Sequence, residues 1–535
     1  MAKRNGPLAK GESMTPTTHD VVIVGGGHNG LTAAAYLARA GKSVLLLERD
    51  GHLGGAAVSA TAFKGVDARL SRYSYLVSLL PRRIIDELGL QLKLARRRYS
   101  SYTPDPGGAA AGLLVDHGDS GASRASFAGL GAEADYDALA AFHADTARLA
   151  RALFPTVCEP LPTRSGARRL LGDDGLWDEL VEQPIGRAIT ARFSNDTVRG
   201  LVATDALIGT FTSLEDPSLA ANRCFLYHVI GNETGDWDLP IGGMGAVTAE
   251  LERAARDAGA QLLTGALVTR VADDGEVTFS RSGTDTVVAG RHVLANVAPA
   301  VLRGLMGEAD AGVQGPEGAQ VKVNLMLRRL PRLRDESVSP AAAFGGNFHI
   351  NEGYGHLEDS YRAAAGGTVP APLPCETYCH SLTDPSILSP ELAASGAQTL
   401  TVFGLHTPHR WLTAANNAAM RDELQAAVLA SLNSVLAEPV EELLLMDASG
   451  NPCVETKTTL DLEHALNMPG GNIFHGPLDW PFLEAGSPRE SAAQRWGVDT
   501  GHGRILLCGA GARRGGGVSG IGGHNAAMAV LESPL

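Results

Sequence analysis

Cysteine is scarce in this chain: six residues in 535, at positions 158, 224, 375, 379, 453 and 508. Such sparse cysteines do not make a disulfide framework, and reduced thiols in the cytosol are the expectation. No uncharged apolar run reaches the 18 residues that a membrane-spanning helix needs. A peripheral membrane contact needs no span, so that option stays open. Residues 1–17 carry Lys3, Arg4 and Lys10 without the apolar stretch of a secretory signal, and read as a flexible N-terminal extension. Basic blocks are also missing. With 45 Lys and Arg against 59 Asp and Glu, net charge −14, nucleic acid is not expected as a partner. Nothing in the sequence fixes an oligomeric state. What is plentiful is glycine, 64 residues with no collagen-like period, so glycine here serves turns and close backbone approaches.

The first organised segment concentrates that glycine. Val21-Val22-Ile23-Val24 reads as a buried parallel strand and runs into Gly25-Gly26-Gly27-His28-Asn29-Gly30. Helix formers follow from Leu31 to Ala40, Gly41 closes the helix, and a second strand, Val44–Leu47, ends on Glu48. The order strand, glycine turn, helix, strand, acid is that of a dinucleotide site. Gly25 permits the tight turn, Gly27 lets backbone approach a pyrophosphate, and Gly30 lets the helix pack on the strand. The helix start then offers free N–H groups and a positive dipole end to phosphate. Glu48 is placed to accept hydrogen bonds from both ribose hydroxyls.

The run Glu48-Arg49-Asp50-Gly51-His52-Leu53-Gly54-Gly55-Ala56 resembles the extended fingerprint of the glutathione-reductase-like FAD fold, whose second glycine pair passes close to the pyrophosphate and ribitol. Near the C-terminus, the strand-like Arg504–Cys508 is followed by Gly509-Ala510-Gly511, then Gly517-Val518-Ser519-Gly520, and a helix over 525–531. That segment resembles the one whose helix start faces the flavin ring in such proteins. The same resemblance puts Val268 beside the adenine. It implies FAD held by Gly25, Gly27, His28, Asn29, Gly30, Glu48, Arg49, Gly54, Gly55, Ala56, Val268, Gly509, Ala510, Gly517, Val518, Ser519 and Gly520. No metal site is expected: Cys375 and Cys379 have His380 beside them but no fourth ligand, and their spacing is not that of a redox dithiol.

Three separated stretches, 18–64, 238–300 and 497–535, therefore read as one FAD-binding domain. Residues 65–237 and 301–496 read as a discontinuous α+β substrate domain. The fold class is α/β, a Rossmann-type FAD domain with that second domain inserted. Helices are expected over 134–154, 246–260 and 410–436, and strands over 321–326 and 399–404.

Four segments, VVIVGGGHNGLTAAAYLARAGKSVLLLERDGHLGGAA, IGGMGAVTAELERAA, GGNIFHGPLDWPF and LLCGAGARRGGGVSGIGGHNAA, span the chain in order. On them the sequence resembles the phytoene-desaturase-related FAD oxidoreductases. Within these it is similar to the branch of pyridine nucleotide-disulfide oxidoreductase domain-containing protein 2 and the monocyclic carotenoid ketolases. Ala56 stands where the polyene desaturases commonly have Arg. The resemblance implies an FAD-dependent oxidoreductase that removes hydride from a largely apolar substrate such as a polyene, isoprenoid or lipid-like metabolite. Two other readings stay open: a flavin amine or amino-acid oxidase, and a double-bond isomerase or non-catalytic flavin-bound interaction protein.

Hydride removal also calls for a proton acceptor or a stabiliser of positive charge. His475, in the glycine-flanked turn Gly470–Pro477, is the first catalytic candidate, read as a neutral imidazole near its ordinary pKa. His228 is the second. Tyr73, Tyr75, Phe225, Trp237 and Trp480 are candidates for an apolar pocket. Arg69, Arg72, Arg82, Arg83 and Arg96-Arg97-Arg98 read either as a docking patch for anions or as a solvated face balanced by Asp67, Asp86 and Glu87.

Overall fold

The computed structural model describes residues 17–106, 111–308 and 317–533; the expected flexible extension lies almost wholly outside the described residues. A seven-stranded sheet forms the first layer. Its parallel part runs Ile505–Leu507, Thr284–Ala295, Thr17–Val24, Val44–Leu47, Gln261–Leu263. The long strand Thr284–Ala295 also belongs to an antiparallel meander with Leu267–Val271 and Glu276–Arg281.

The apolar runs of this sheet do not alternate with polar residues because both faces are covered. Val21, Ile23, Val44 and Leu46 pack under the helices His28–Arg39, Met244–Asp257 and Ile521–Glu532. Val22, Val24, Leu45 and Leu47 pack on the opposite side with the meander and the helix Pro299–Met306. Strand segments more than 480 residues apart meet in one sheet, so the FAD-type architecture closes only when the C-terminal strand returns to Val293–Ala295.

The second layer is another seven-stranded sheet, in the order Val454–Lys457, Val321–Leu327, Gln398–Gly404, Cys375–Tyr378, Asn347–Ile350, Tyr99–Thr103, Leu113–Asp116. All its pairs are antiparallel except Asn347–Ile350 with Tyr99–Thr103. One face carries Val321, Val323, Leu325, Phe348, Ile350, Cys375, Leu400 and Val402 into a core closed by the helix Asn417–Val435. Period-2 alternation sends the intervening residues to the other face. Helices Glu133–Leu153, Ile185–Arg192, Asp196–Ala203 and Ala220–Val229 share the large core of the first domain.

One sequence expectation needs correction here. The helix expected over 410–436 begins at Asn417; a short 3-10 turn, His409–Trp411, precedes it. Thr413 and Asn416 exchange hydrogen bonds, the Thr413 N–H donating to Asn416 Oδ1 at 2.7 Å and the Asn416 N–H to Thr413 Oγ1 at 3.3 Å. That local exchange competes with helix and delays its start. In the arginine-rich region after the glycine turn, five of the seven arginines are paired with acids, Asp86 and Glu87 among them, as the balanced-face reading has it. Arg72 pairs with Glu455, Arg82 with Asp86, Arg83 with Glu87 and Glu159, Arg96 with Asp236 and Asp238, and Arg98 with Asp116. Among the described residues no helix is long and apolar enough to cross a membrane, and no His, Cys, Asp and Glu cluster suits a metal ion. All six cysteines are buried and unbridged.

Candidate functional site

The glycine turn is held from three sides. Gly25 has φ +102°, and its N–H donates to Leu47 at 2.8 Å, so the turn closes directly on the second strand. A Cβ on Gly30 would lie 2.3 Å from the Gly25 carbonyl oxygen, so only glycine lets the helix start so close to the strand end. Asn296, at the end of the long central strand, donates through Nδ2 to the carbonyls of Gly25 and Gly27 at 3.0 and 3.4 Å. Sequence reasoning passed over Asn296; a polar residue ending an apolar strand was its only signal.

Glu48 is more constrained than the sequence implied. Its Oε2 accepts from the Gly26 N–H at 2.7 Å and its Oε1 from the Asp50 N–H at 2.8 Å. The carboxylate thus ties the glycine turn to its own loop and presents its remaining lone pairs to the cavity. His28 Nε2–H donates to the Gly517 carbonyl at 3.1 Å, which joins the N-terminal turn to the C-terminal segment. Burial pushes the His28 pKa down to about 4, so its ring is neutral.

One elongated cavity runs along these segments. Glu48, Arg49 and Val268 line one end, and Gly25, Gly27, His28, Asn29, Gly55 and Ala56 its middle. Ala510, Gly517 and Val518 line it where it meets the second sheet. Gly30, Gly54, Gly509, Ser519 and Gly520 do not line it; they shape its wall, as where Gly54 donates to Gly26 at 2.9 Å and Gly520 caps the Ile521–Glu532 helix at φ +70°. Both side-chain polar atoms of Asn29 are buried without partners, as is Nδ1 of His475. Buried polar atoms left open along a helix N-terminus are what a bound dinucleotide would satisfy. The residues present therefore fit FAD.

The far wall comes from the second sheet. Ladder register aligns His349, Glu376, Phe403, Lys322 and Lys457 in one row across five strands, all on the face turned to the first domain. Phe403 and Lys322 line the cavity with Tyr75 and Trp237. Tyr75 packs on Tyr378 and Phe403 with ring centroids 4.5 and 4.9 Å apart. The Lys322 ammonium sits 5.2 Å from the Phe403 ring and 5.9 Å from that of Tyr75, and donates to the carbonyls of Tyr73 and Ser71 at 2.7 and 3.2 Å. Desolvation, opposed by Glu455 and helped by Lys457, pushes its pKa down to about 7. Sequence analysis did not single out Lys322, although a lysine inside the otherwise apolar Val321–Leu327 is itself a signal.

His475 lies in the same cavity wall, beside Gly511 and near His28. Its φ of +63° is a left-handed conformation held by the Asn472–His475 turn. The expected near-ordinary pKa is not what the site provides: desolvation lowers it to about 4, so the imidazole is a neutral hydrogen-bonding group on the dinucleotide side. His228 is not brought to the wall. Its Nδ1–H donates to the Cys224 carbonyl at 2.8 Å and its ring stacks behind Trp237. Tyr73, Tyr75 and Trp237 line the cavity, whereas Phe225 packs on Phe142 and Trp480 stacks on Phe482.

The comparisons agree with this geometry. Residues 20–113 match the family described as FAD dependent oxidoreductase. The uncharacterized protein Rv0897c of Mycobacterium tuberculosis is 56% identical over 523 residues, covering 96% of this chain and 97% of its own. The mouse pyridine nucleotide-disulfide oxidoreductase domain-containing protein 2 is 29% identical over 585 residues, covering 96% of this chain and 93% of its own. Among solved structures, cyclohexylamine oxidase from Brevibacterium oxydans shares the fold at TM-score 0.52 and 15% identity, over 96% of this chain and 99% of that one.

Proposed function

Since the chain belongs to the family of Rv0897c, FAD-dependent oxidoreductases related to pyridine nucleotide-disulfide oxidoreductase domain-containing protein 2, we propose that it oxidises the carbon beside an uncharged amine nitrogen in a small, mainly apolar molecule. Bound along the cavity, FAD supplies a two-electron acceptor. The protein's part is to hold the donor carbon against it, exclude water and set the donor's ionisation.

The observation that carries this reading is the Lys322 ammonium fixed inside an aromatic wall. An amine yields hydride only when its lone pair is free to stabilise the cation that forms. A fixed ammonium about 5 Å from a second one costs roughly 3 kcal/mol at an effective dielectric constant of 20, about two pKa units of the incoming amine. While Lys322 holds its proton, below its pKa of about 7, the wall therefore favours the neutral, reactive form. Tyr75, Trp237 and Phe403 hold the apolar remainder of the donor, and an amine is a donor that this fold handles in the cyclohexylamine oxidase.

A second reading, desaturation of a polyene or isoprenoid in the manner of the phytoene-desaturase-related enzymes, is favoured by the aromatic and aliphatic lining, where Ile473 and Phe474 join the same three rings. Anaerobic mixing of the FAD-loaded protein with benzylamine, cyclohexylamine and limonene separates the two. Flavin bleaching by the amines, with aldehyde or ketone and ammonia as products, supports the first. Bleaching by limonene alone, with a product two hydrogens lighter, overturns it in favour of the second.

A further inference from the structure

A file of polar side chains behind the aromatic wall leads away from the cavity to a buried carboxylate. Tyr75 lines the cavity, and its hydroxyl lies 3.3 Å from that of Tyr378. Tyr378 and Glu376 are two residues apart on one strand and so share its face, and the Tyr378 hydroxyl faces the Glu376 carboxylate. Glu376 is 2% exposed; its Oε1 accepts from Asn347 Nδ2 at 2.8 Å, while Oε2 has no partner. A buried carboxylate oxygen left open is costly and calls for a role.

We propose that Tyr75, Tyr378 and Glu376 form a proton relay that carries the proton lost by the substrate out of the flavin cavity. The inference rests on the oxidase reading above only in that a donor gives up hydride. As hydride, with its two electrons, leaves the substrate carbon for the bound FAD, the substrate's remaining acidic proton passes to the Tyr75 oxygen. Tyr75 gives its own proton to Tyr378, and Tyr378 gives its own to Oε2 of Glu376. One N–H bond of the amine, or one C–H bond of a hydrocarbon donor, breaks and one O–H bond forms on Glu376; both tyrosines end as they began.

The surroundings suit a proton acceptor. His349 lies opposite Glu376 in the ladder and binds Glu352 Oε2 at 2.6 Å through Nδ1. Thr204 donates to the same Glu352 oxygen at 2.7 Å. The groups facing Glu376 are thus His349 from the neighbouring strand, Glu352 from the loop after it, Asp205 from the helical layer and Tyr378 from its own strand. Arg97 lies over the Tyr378 ring, 5.8 Å from its centroid. Desolvation raises the Glu376 pKa to about 7, against the lowering effect of the imidazolium, so the carboxylate can take up and release a proton at neutral pH. His475 and His28, both pushed down to about 4, are poorer acceptors.

The test is stopped-flow flavin reduction under anaerobic conditions, with whichever of benzylamine, cyclohexylamine or limonene bleaches the wild type, from pH 5.5 to 9. Each donor loses one proton, so a failure of the amine reading leaves the relay measurable with limonene. The wild-type rate should rise with pH through an inflection near neutrality, because Glu376 accepts only when ionised. Tyr378→Phe and Glu376→Gln should slow reduction about tenfold or more and abolish that inflection, with FAD content unchanged. Glu376→Asp should keep the inflection at a reduced rate. If Glu376→Gln loses FAD, Tyr378→Phe decides, since it removes one oxygen and keeps the ring packing. Full FAD occupancy with an unchanged rate and pH profile in Tyr378→Phe overturns the relay.

Discussion

Replacing Lys322 with Met probes the aromatic wall without any substrate. Lys322 is 2% exposed, and its ammonium has two backbone carbonyls as its hydrogen-bond partners. Burial lowers its pKa from the ordinary 10.5 to about 7. Below pH 7 both folded and unfolded chains are protonated here, and the folded state bears the whole cost of the buried charge. Between the two pKa values the unfolded chain holds a proton that the folded chain does not, so stability rises with pH; above 10.5 the cost has gone. Each pH unit in that window is worth about 1.4 kcal/mol. Methionine fills a similar volume and does not titrate. The stability of the wild type relative to Lys322→Met should therefore climb by roughly 2–3 kcal/mol from pH 7 to pH 9. With an unfolding entropy of about 2.1 cal/mol/K per residue, that is a change of roughly 2–3 °C in the gap between the two melting temperatures. The unsatisfied carbonyls of Ser71 and Tyr73 add an offset of about 1–3 kcal/mol each that does not vary with pH, so the slope is diagnostic and the offset is not. Calorimetric scans of both FAD-saturated proteins at pH 6, 7, 8 and 9 supply the measurement. A gap that stays constant across this range would refute the buried, titrating ammonium.

Gly30→Ala should lower FAD occupancy and stability by about 1–3 kcal/mol, because its Cβ lies 2.3 Å from the Gly25 carbonyl oxygen and forces the helix off the strand; a yellow, fully loaded variant with wild-type melting would contradict this. Arg514 is buried at φ +67° and donates to the carbonyls of Thr156, Glu159 and Trp496 at 2.7, 2.9 and 3.2 Å. Arg514→Met leaves all three without that donor and should cost about 3 kcal/mol or more. It should weaken FAD binding through the loop that carries Gly517, which equilibrium dialysis would detect. His475, pushed down to about 4, is neutral from pH 5 upward. The pH profiles of flavin reduction in wild type and His475→Gln should thus share one shape between pH 5.5 and 9, and an inflection near 6.5 lost only in the variant would restore the proton-accepting role.

The sequence by itself determined the nucleotide half of this protein. Its signals are local: Val21–Val24, the glycine turn and Glu48 lie within one strand–helix–strand unit, whose geometry follows from short-range sterics and hydrogen bonds. The C-terminal glycine segment was legible for the same reason, since a strand, a bend and a helix are contiguous there. The aromatic wall with Lys322 was not legible, because it is a row across strands. Lys322, Phe403 and Glu376 lie far apart along the chain and meet only through antiparallel register, where a slip of one residue would turn each of them into the opposite core. Burial, too, is a tertiary property: it takes His475 away from its ordinary pKa, and it makes of a lysine in Val321–Leu327 a group that gives up its proton near neutral pH. Asn296 shows the same division, since its strand was readable but its hold on Gly25 and Gly27 exists only where two parallel strands end side by side.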